Sequence, residues 1–280
     1  MTDVHKIVFH NGVEIPQIGL GVWQVEEGET QRVVEDALAA GYRHIDTAAA
    51  YGNEAGVGAA LRAAGLPRDE VFVTTKLRNG EQGYDSALKA YQDSLERMGL
   101  DFADMYMIHW PTPAKDLYVE TWGAFEKLYE EEAVRAIGVA NFLPDHLERL
   151  LGETEVKPVV NQFELHPTHQ QAGVEEATRR SGLAVQAYSP IGRGEDIKKP
   201  AVVSIADRVG VSPAQVVLAW HLHHGRIIIP KSTDPGRMAE NLSSASVVLS
   251  DEDIAQIDGL EEGNMQVGDP ATLNVSQMRY

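Results

Sequence analysis

From residue 19 onward the chain alternates short β-branched or apolar runs with longer amphipathic stretches, and eight such runs can be marked out. A short run that is apolar throughout is what a strand buried on both faces looks like, and a helix between successive runs is the connection that parallel strands require. The runs fall at residues 19–23, 43–46, 71–76, 105–109, 136–141, 159–162, 184–188 and 226–230. Between them, apolar positions recur at three- and four-residue steps over 29–40, 53–64, 84–97, 118–131 and 145–151, the spacing of helices with one buried face. Gly41, Gly65, Gly99, Gly152 and Gly182 each follow a helical stretch, where a left-handed C-cap favours glycine. Eight units in 280 residues make about 35 residues per unit, close to the roughly 30 of a βαβ repeat. The expected fold is therefore α/β, a single (β/α)8 barrel spanning residues 1–280 as one domain. Ahead of the alternation, residues 6–9 and 13–18 flank Asn11-Gly12, which predicts a β-hairpin with a two-residue turn, placed to plug the bottom of the barrel.

Composition narrows the function. Lys and Arg number 24 against 42 Asp and Glu, a formal net charge of −18, and such a surface repels nucleic acid and anionic membranes. The chain has no cysteine, so thiol nucleophiles, disulfides and thiolate metal sites are excluded. No apolar run reaches the roughly 18 residues of a membrane span, and residues 1–9 lack the apolar core of a leader. The expectation is a cytoplasmic protein, acting as a monomer on a small molecule. His221, His223 and His224 lie on a helical pattern with no carboxylate at ligand spacing, so no metal site is expected.

Active sites of such barrels lie where strands end, and here the runs finish in reactive side chains. Asp46 and Thr47 close the second, Lys76 the third, His109 and Trp110 the fourth, Asn141 the fifth, Gln162 and Glu164 the sixth, Tyr188 and Ser189 the seventh, Lys231 and Ser232 the eighth. Taken singly, each has a structural reading as a cap, a rim residue or a satisfied core group. Together they point to a site.

The segment Gly41-Tyr42-Arg43-His44-Ile45-Asp46-Thr47-Ala48, followed by Tyr51-Gly52-Asn53-Glu54, resembles the signature of the aldo-keto reductases. The resemblance runs from Pro16-Gln17-Ile18-Gly19-Leu20-Gly21 to about Leu260. Thr74-Thr75-Lys76-Leu77 and His109-Trp110-Pro111 are similar to the bacterial subgroup around 2,5-diketo-D-gluconate reductase. The resemblance implies reduction of aldehydes or ketones, among them keto sugars, dicarbonyls and keto esters, with NADPH. It makes Asp46, Tyr51, Lys76 and His109 the catalytic group. Tyr51 would protonate the developing alkoxide, with Lys76 lowering the cost of giving up a proton held near pKa 10. Asp46 would pin the lysine, and His109 would orient the carbonyl as a neutral donor.

There is no Gly-x-Gly-x-x-Gly between a first strand and its helix, so the dinucleotide fingerprint is absent. The resemblance instead implies that Asn141 and Gln162 bind the carboxamide and that Tyr188 stacks on the nicotinamide. Ser189, Ile191 and Gly192 would approach the pyrophosphate, and Lys231, Ser232, Thr233, Arg237, Glu240 and Asn241 the adenosine 2′-phosphate. Trp23, Arg78 and Trp110 are the candidate pocket walls. Two departures stand out: Ala140 where the family usually has serine, and Arg78 where close relatives carry tryptophan. The first removes a hydrogen bond worth about 1 kcal/mol; the second places a cation that could attract an acidic substrate. Two other readings stay open, a nucleotide-sensing subunit without turnover and a hydrolase or isomerase using Asp46 and Glu164 as paired carboxylates.

Overall fold

The computed structural model describes residues 4–273. An antiparallel hairpin, β1 (Lys6–Val8) and β2 (Glu14–Pro16), precedes the barrel. Strands β3 (Leu20–Gly21), β4 (His44–Asp46), β5 (Phe72–Leu77), β6 (Ala103–Ile108), β7 (Val134–Ala140), β8 (Val160–Glu164), β9 (Ala184–Tyr188) and β10 (Ile227–Ile228) follow in one sheet, each parallel to its chain neighbour. The two ends of that sheet meet. Ile18 bridges Ile228 in parallel, the Gly19 amide donates to the Ile228 carbonyl at 2.8 Å, and the Ile228 amide donates to Gln17 at 2.8 Å. The sheet is thus a closed (β/α)8 barrel, as the alternation predicts.

Helices α1 (Glu27–Ala40), α2 (Glu54–Ala64), α3 (Tyr84–Met98), α4 (Tyr118–Glu130), α5 (Pro144–Glu153) and α6 (Ala172–Arg180) each follow one strand. Two helices, α7 (Pro200–Val209) and α8 (Pro213–His223), separate β9 from β10, and α9 (Pro235–Ser243) and α10 (Asp251–Asp258) come last. Side chains alternate along each strand, so a strand such as β6 feeds two cores. Met105 and Met107 point into the barrel with Phe72, Ala136, Val160 and Ile227, whereas Tyr106 and Ile108 face the helices with Trp122 and Phe125. Phe9 and Ile15 of the hairpin segment join the inner cluster, closing the end of the barrel opposite the strand C-termini. Among the described residues no single helix is long and apolar enough to cross a membrane.

Two expectations need correction. The hairpin loop has three residues, not two: the Phe9 amide donates to Val13 and the Gly12 amide to Phe9, both at 2.9 Å, with Gly12 at φ 84°. This is the turn-plus-bulge geometry in which glycine takes the left-handed position alone. Gly152 is not a C-cap but lies inside α5, which ends at an extended Thr154 whose hydroxyl caps the Leu150 carbonyl at 2.6 Å. Gly41, Gly65 and Gly99 do adopt the left-handed cap, at φ 110°, 64° and 62°.

Candidate active site

At the C-terminal ends of the strands, a buried ion pair organises the mouth. Lys76 at the end of β5 and Asp46 at the end of β4 are 0% and 1% exposed, with Nζ to Oδ1 at 2.5 Å. The register that pairs Asp46 with Thr74 leaves Lys76 two residues further along, on the same face of the sheet. Nζ also donates to the Thr47 carbonyl at 3.1 Å, and Gln162 Nε2 from β8 donates to the other Asp46 oxygen at 2.9 Å. Burial lowers the Lys76 pKa, and the Asp46 charge and hydrogen bond oppose it.

Tyr51 closes a short 3-10 turn, Ala49–Tyr51, that ends on the left-handed Gly52. Its ring centroid is 5.4 Å from Lys76 Nζ and 5.6 Å from the His109 ring, which it meets edge-on at 74°. His109, 7% exposed, has its pKa driven well below the usual imidazole range by burial and by the Lys76 charge. It is therefore neutral at pH 7, and one ring nitrogen can donate. The four residues expected at the catalytic centre are brought together.

The expected cofactor residues occupy the same rim. Asn141 follows β7 at φ 64°, donates from Nδ2 to the His109 carbonyl at 2.8 Å, and accepts the Tyr188 hydroxyl at 2.8 Å. Asn141 therefore ties three strand exits together. The loop after β9 carries Ser189 at φ 50°, Ile191 and Gly192 at φ 57°. A Cβ on Gly192 would stand 2.6 Å from the Asp196 carboxylate, so this turn accepts only glycine. Ser232 is buried, Lys231 and Arg237 are exposed, and all three flank the start of α9, where Asp234 caps the Arg237 amide at 2.8 Å. Neither cation forms an ion pair with a described carboxylate, and with Thr233 they offer charge and hydroxyls at a helix N-terminus, a fit to phosphate. Glu240 is turned the other way, accepting from the Ser212 hydroxyl that caps α8, and Asn241 is buried with its carbonyl taken by Ser244.

Of the pocket candidates, Trp110 is 2% exposed, and its indole nitrogen has no hydrogen-bond partner among the described residues. Trp23 is partly buried, with the Arg193 guanidinium 4.9 Å from its ring. Arg78 is exposed but anchored: Nε and an Nη both donate to the Ala49 carbonyl, at 2.9 and 2.6 Å.

Three arrangements escape the residue-type reading. Asn53 is fully buried, accepting the Thr47 hydroxyl at 2.9 Å and donating to Val22 and Val25; it stands inside the signature but has no reactive group to draw notice. Arg193 over Trp23 needs a left-handed arginine, at φ 51°, which no local pattern signals. The third is a buried cluster on the loop after β8. His166 bonds Asp196 at 2.7 Å and Glu164 at 3.3 Å, while Glu164 also accepts the Gln266 and Val267 amides at 2.9 and 3.1 Å. Glu164 thus holds the C-terminal segment, and both Asp46 oxygens are engaged by Lys76 and Gln162. Neither carboxylate of the proposed hydrolytic pair is disposed to activate water.

Burial opposes charge on His166, but its hydrogen bonds to the Asp196 and Glu164 carboxylates, together with their charges, outweigh it and push its pKa up to about 9. A folded pKa above the unfolded value stabilises fully below about pH 6.5 and is lost as pH rises towards 9. With solvent screening the loss is ~2 kcal/mol. Urea unfolding across that window is expected to show this decline in the wild type and a flatter profile in His166→Gln; parallel profiles would remove His166 as the cause.

A closed barrel whose mouth gathers a phenol, a buried ammonium–carboxylate pair and a neutral imidazole is equipped for proton transfer to a carbonyl oxygen. The model of the Aldo/keto reductase family matches residues 17–195 and 197–262, and this chain belongs to that family. It is 46% identical over 268 residues to an "Aldo-keto reductase" of Mycobacterium sp. (strain KMS), covering 96% of this chain and 97% of the relative. It is 45% identical over 257 residues to the "Glyoxal reductase" of Bacillus subtilis (strain 168), covering 91% and 92% of the two chains. A crystal structure of a Gox0644 variant in complex with NADPH superposes with a TM-score of 0.93 at 44% identity, covering 97% of this chain and 99% of that one.

Proposed function

We propose that this chain reduces aldehydes or ketones to alcohols with NADPH, with Tyr51 as the proton donor. The observation that carries the reading is the fully buried Lys76, fixed by Asp46 at 2.5 Å and facing the Tyr51 ring at 5.4 Å. The NADPH-bound neighbour and the glyoxal-reducing relative support the cofactor and a small carbonyl substrate. When bound, NADPH would supply a hydride to the carbonyl carbon, leaving the C=O π pair on oxygen. That oxygen takes the Tyr51 proton. Lys76 stabilises the phenolate left behind, which is then reprotonated from solvent. Neutral His109 donates a hydrogen bond that orients the carbonyl and stabilises charge building on oxygen. Asn141 and Gln162 would hold the carboxamide and Tyr188 the ring; Ser189, Ile191 and Gly192 would lie along the pyrophosphate. Lys231, Ser232, Thr233 and Arg237 would bind the 2′-phosphate; Glu240, expected at that end of the site, is instead engaged by the Ser212 hydroxyl, and Asn241 lies buried in α9.

Loss of NADPH absorbance on adding glyoxal tests the activity, and turnover separates a reductase from a nucleotide-sensing subunit. Lys231→Ala tests the cofactor side. Removing one charged hydrogen bond to phosphate costs about 1.5–3 kcal/mol, so KM for NADPH is expected to rise tenfold or more while that for NADH barely changes. Equal losses for both cofactors would contradict a 2′-phosphate site at Lys231.

A further inference from the structure

We propose that Arg78 and Lys115 form an anion subsite on the rim of the barrel mouth, which selects carbonyl substrates bearing a carboxylate. This rests on the carbonyl-reductase reading and narrows its substrate class. A chain with 42 acidic and 24 basic residues has carboxylates within reach of most of its cations. On the outer helices those pairs form: Lys89 with Asp93, Lys127 with Glu131, Arg179 with Glu175. Arg78 and Lys115 do not follow that pattern. Among the described residues neither has a carboxylate partner, and backbone carbonyls hold them instead, Arg78 on Ala49 and Lys115 Nζ on Asn79 at 3.0 Å. A neutral carbonyl fixes the position of a cation without cancelling its charge. Arg78 uses two of its five N–H donors and Lys115 one of three, so both retain donors for an anion.

Their position suits a substrate. Arg78 directly follows β5, two residues beyond Lys76, and its anchor Ala49 opens the turn that ends on Tyr51. Lys115 lies on the loop after β6, beyond His109 and Trp110. At about 2 Å per residue in a 3-10 turn, Ala49 and Tyr51 are ~4 Å apart along the turn. An oxo acid with a few carbons between its two groups would set its carboxylate on the cations and its carbonyl at Tyr51.

The test compares kcat/KM for 4-oxobutanoate and for butanal, uncharged and of the same chain length, at saturating NADPH. The wild-type ratio is expected to favour the oxo acid. Arg78→Met should lower it about tenfold, the loss of one charge-assisted contact, Lys115→Met several-fold, and Arg78→Lys should restore part of it. Any disturbance of the Tyr51 turn slows both aldehydes and cancels in the ratio. Wild-type enzyme supplies an independent sign. Salt screens a local attraction and lowers the ratio, whereas on a chain of net charge −18 with no such subsite, screening raises it. A ratio unmoved by both methionine variants, or rising with salt, overturns the subsite while butanal turnover leaves the reductase reading intact. If neither aldehyde oxidises NADPH, the subsite and the reading beneath it fall together.

Discussion

Tyr51→Phe is expected to lower kcat by about two to four orders of magnitude, the usual contribution of a positioned general acid, while NADPH affinity stays within about twofold. Only a hydroxyl is removed. The ring that packs edge-on against His109 at 5.6 Å remains, so the mouth keeps its shape and the binding surface is untouched. Rapid-mixing measurement of NADPH consumption, alongside a fluorescence titration of NADPH, separates the two effects. Histidine does not offer a rescue, because His109 is buried with its pKa well below the usual range and carries no ionisable proton to give at pH 7. A variant that turns over at the wild-type rate would move the proton donor to water or elsewhere, and the role given to Tyr51 would be lost.

Lys76→Met is expected to be as damaging to turnover and, in addition, to destabilise the fold by ~3–5 kcal/mol, because it leaves Asp46 charged and buried without its partner. Asp46 is 1% exposed and would keep only the Gln162 amide, at 2.9 Å. Adding Asp46→Leu removes the stranded charge. Urea unfolding of the double variant should recover most of the lost stability, since replacing both members of a buried pair by apolar groups is often close to neutral. Turnover should not recover with it. This dissociation distinguishes an ammonium needed beside the phenol from one needed only to hold the barrel mouth together. Activity that returned along with stability would assign Lys76 a structural role alone.

The fold was legible because its evidence is local and repeated. The barrel strands recur as short β-branched or apolar runs between helical stretches, and it is the repetition that marks them; β9 matches its expected bounds, residues 184–188, at both ends. β3 and β10 are shorter than expected, at two residues each, since there the ladder is carried on by single hydrogen bonds such as Gly21 to Pro230 at 3.2 Å. The helices α6 to α9 had no expected bounds; α8 is apolar nearly all round, with Val216, Val217, Leu218, Ala219 and Trp220 all buried, so it lacks the one-sided period that marks α1 to α5. Gly152 misled because a glycine near a helix end is a statistical signal, and here the Thr154 hydroxyl does the capping.

The site was legible only through combination. Asp46, Tyr51, Lys76 and His109 each admit an ordinary explanation; strand-end placement drew notice to Asp46, Lys76 and His109 among several others, and it was the resemblance to the aldo-keto reductase signature that singled out these four and brought in Tyr51, which lies on a turn after β4. What residue identity could not disclose was the use of each polar atom. Glu164 reads as a reactive carboxylate at a strand end, yet it holds the chain at Gln266 and Val267, a hundred residues away in sequence. Arg78 reads as a pocket wall or a solvated surface charge, and its anchoring on Ala49 depends on a turn conformation that no motif encodes. Such long-range pairings depend on tertiary closure, which local patterns do not record.

The central claim concerns where two hydrogens come from: the one on carbon from the nicotinamide, the one on oxygen from the protein. Reduction of glyoxal by NADPH deuterated at the transferring position of C4, followed by mass spectrometry of the alcohol, tests it most directly. The expected product carries one deuterium on the carbinol carbon, formed in step with NADPH loss and nearly abolished in Tyr51→Phe. An unlabelled alcohol, or carbonyl consumed with no oxidation of NADPH, would show that this barrel performs another reaction.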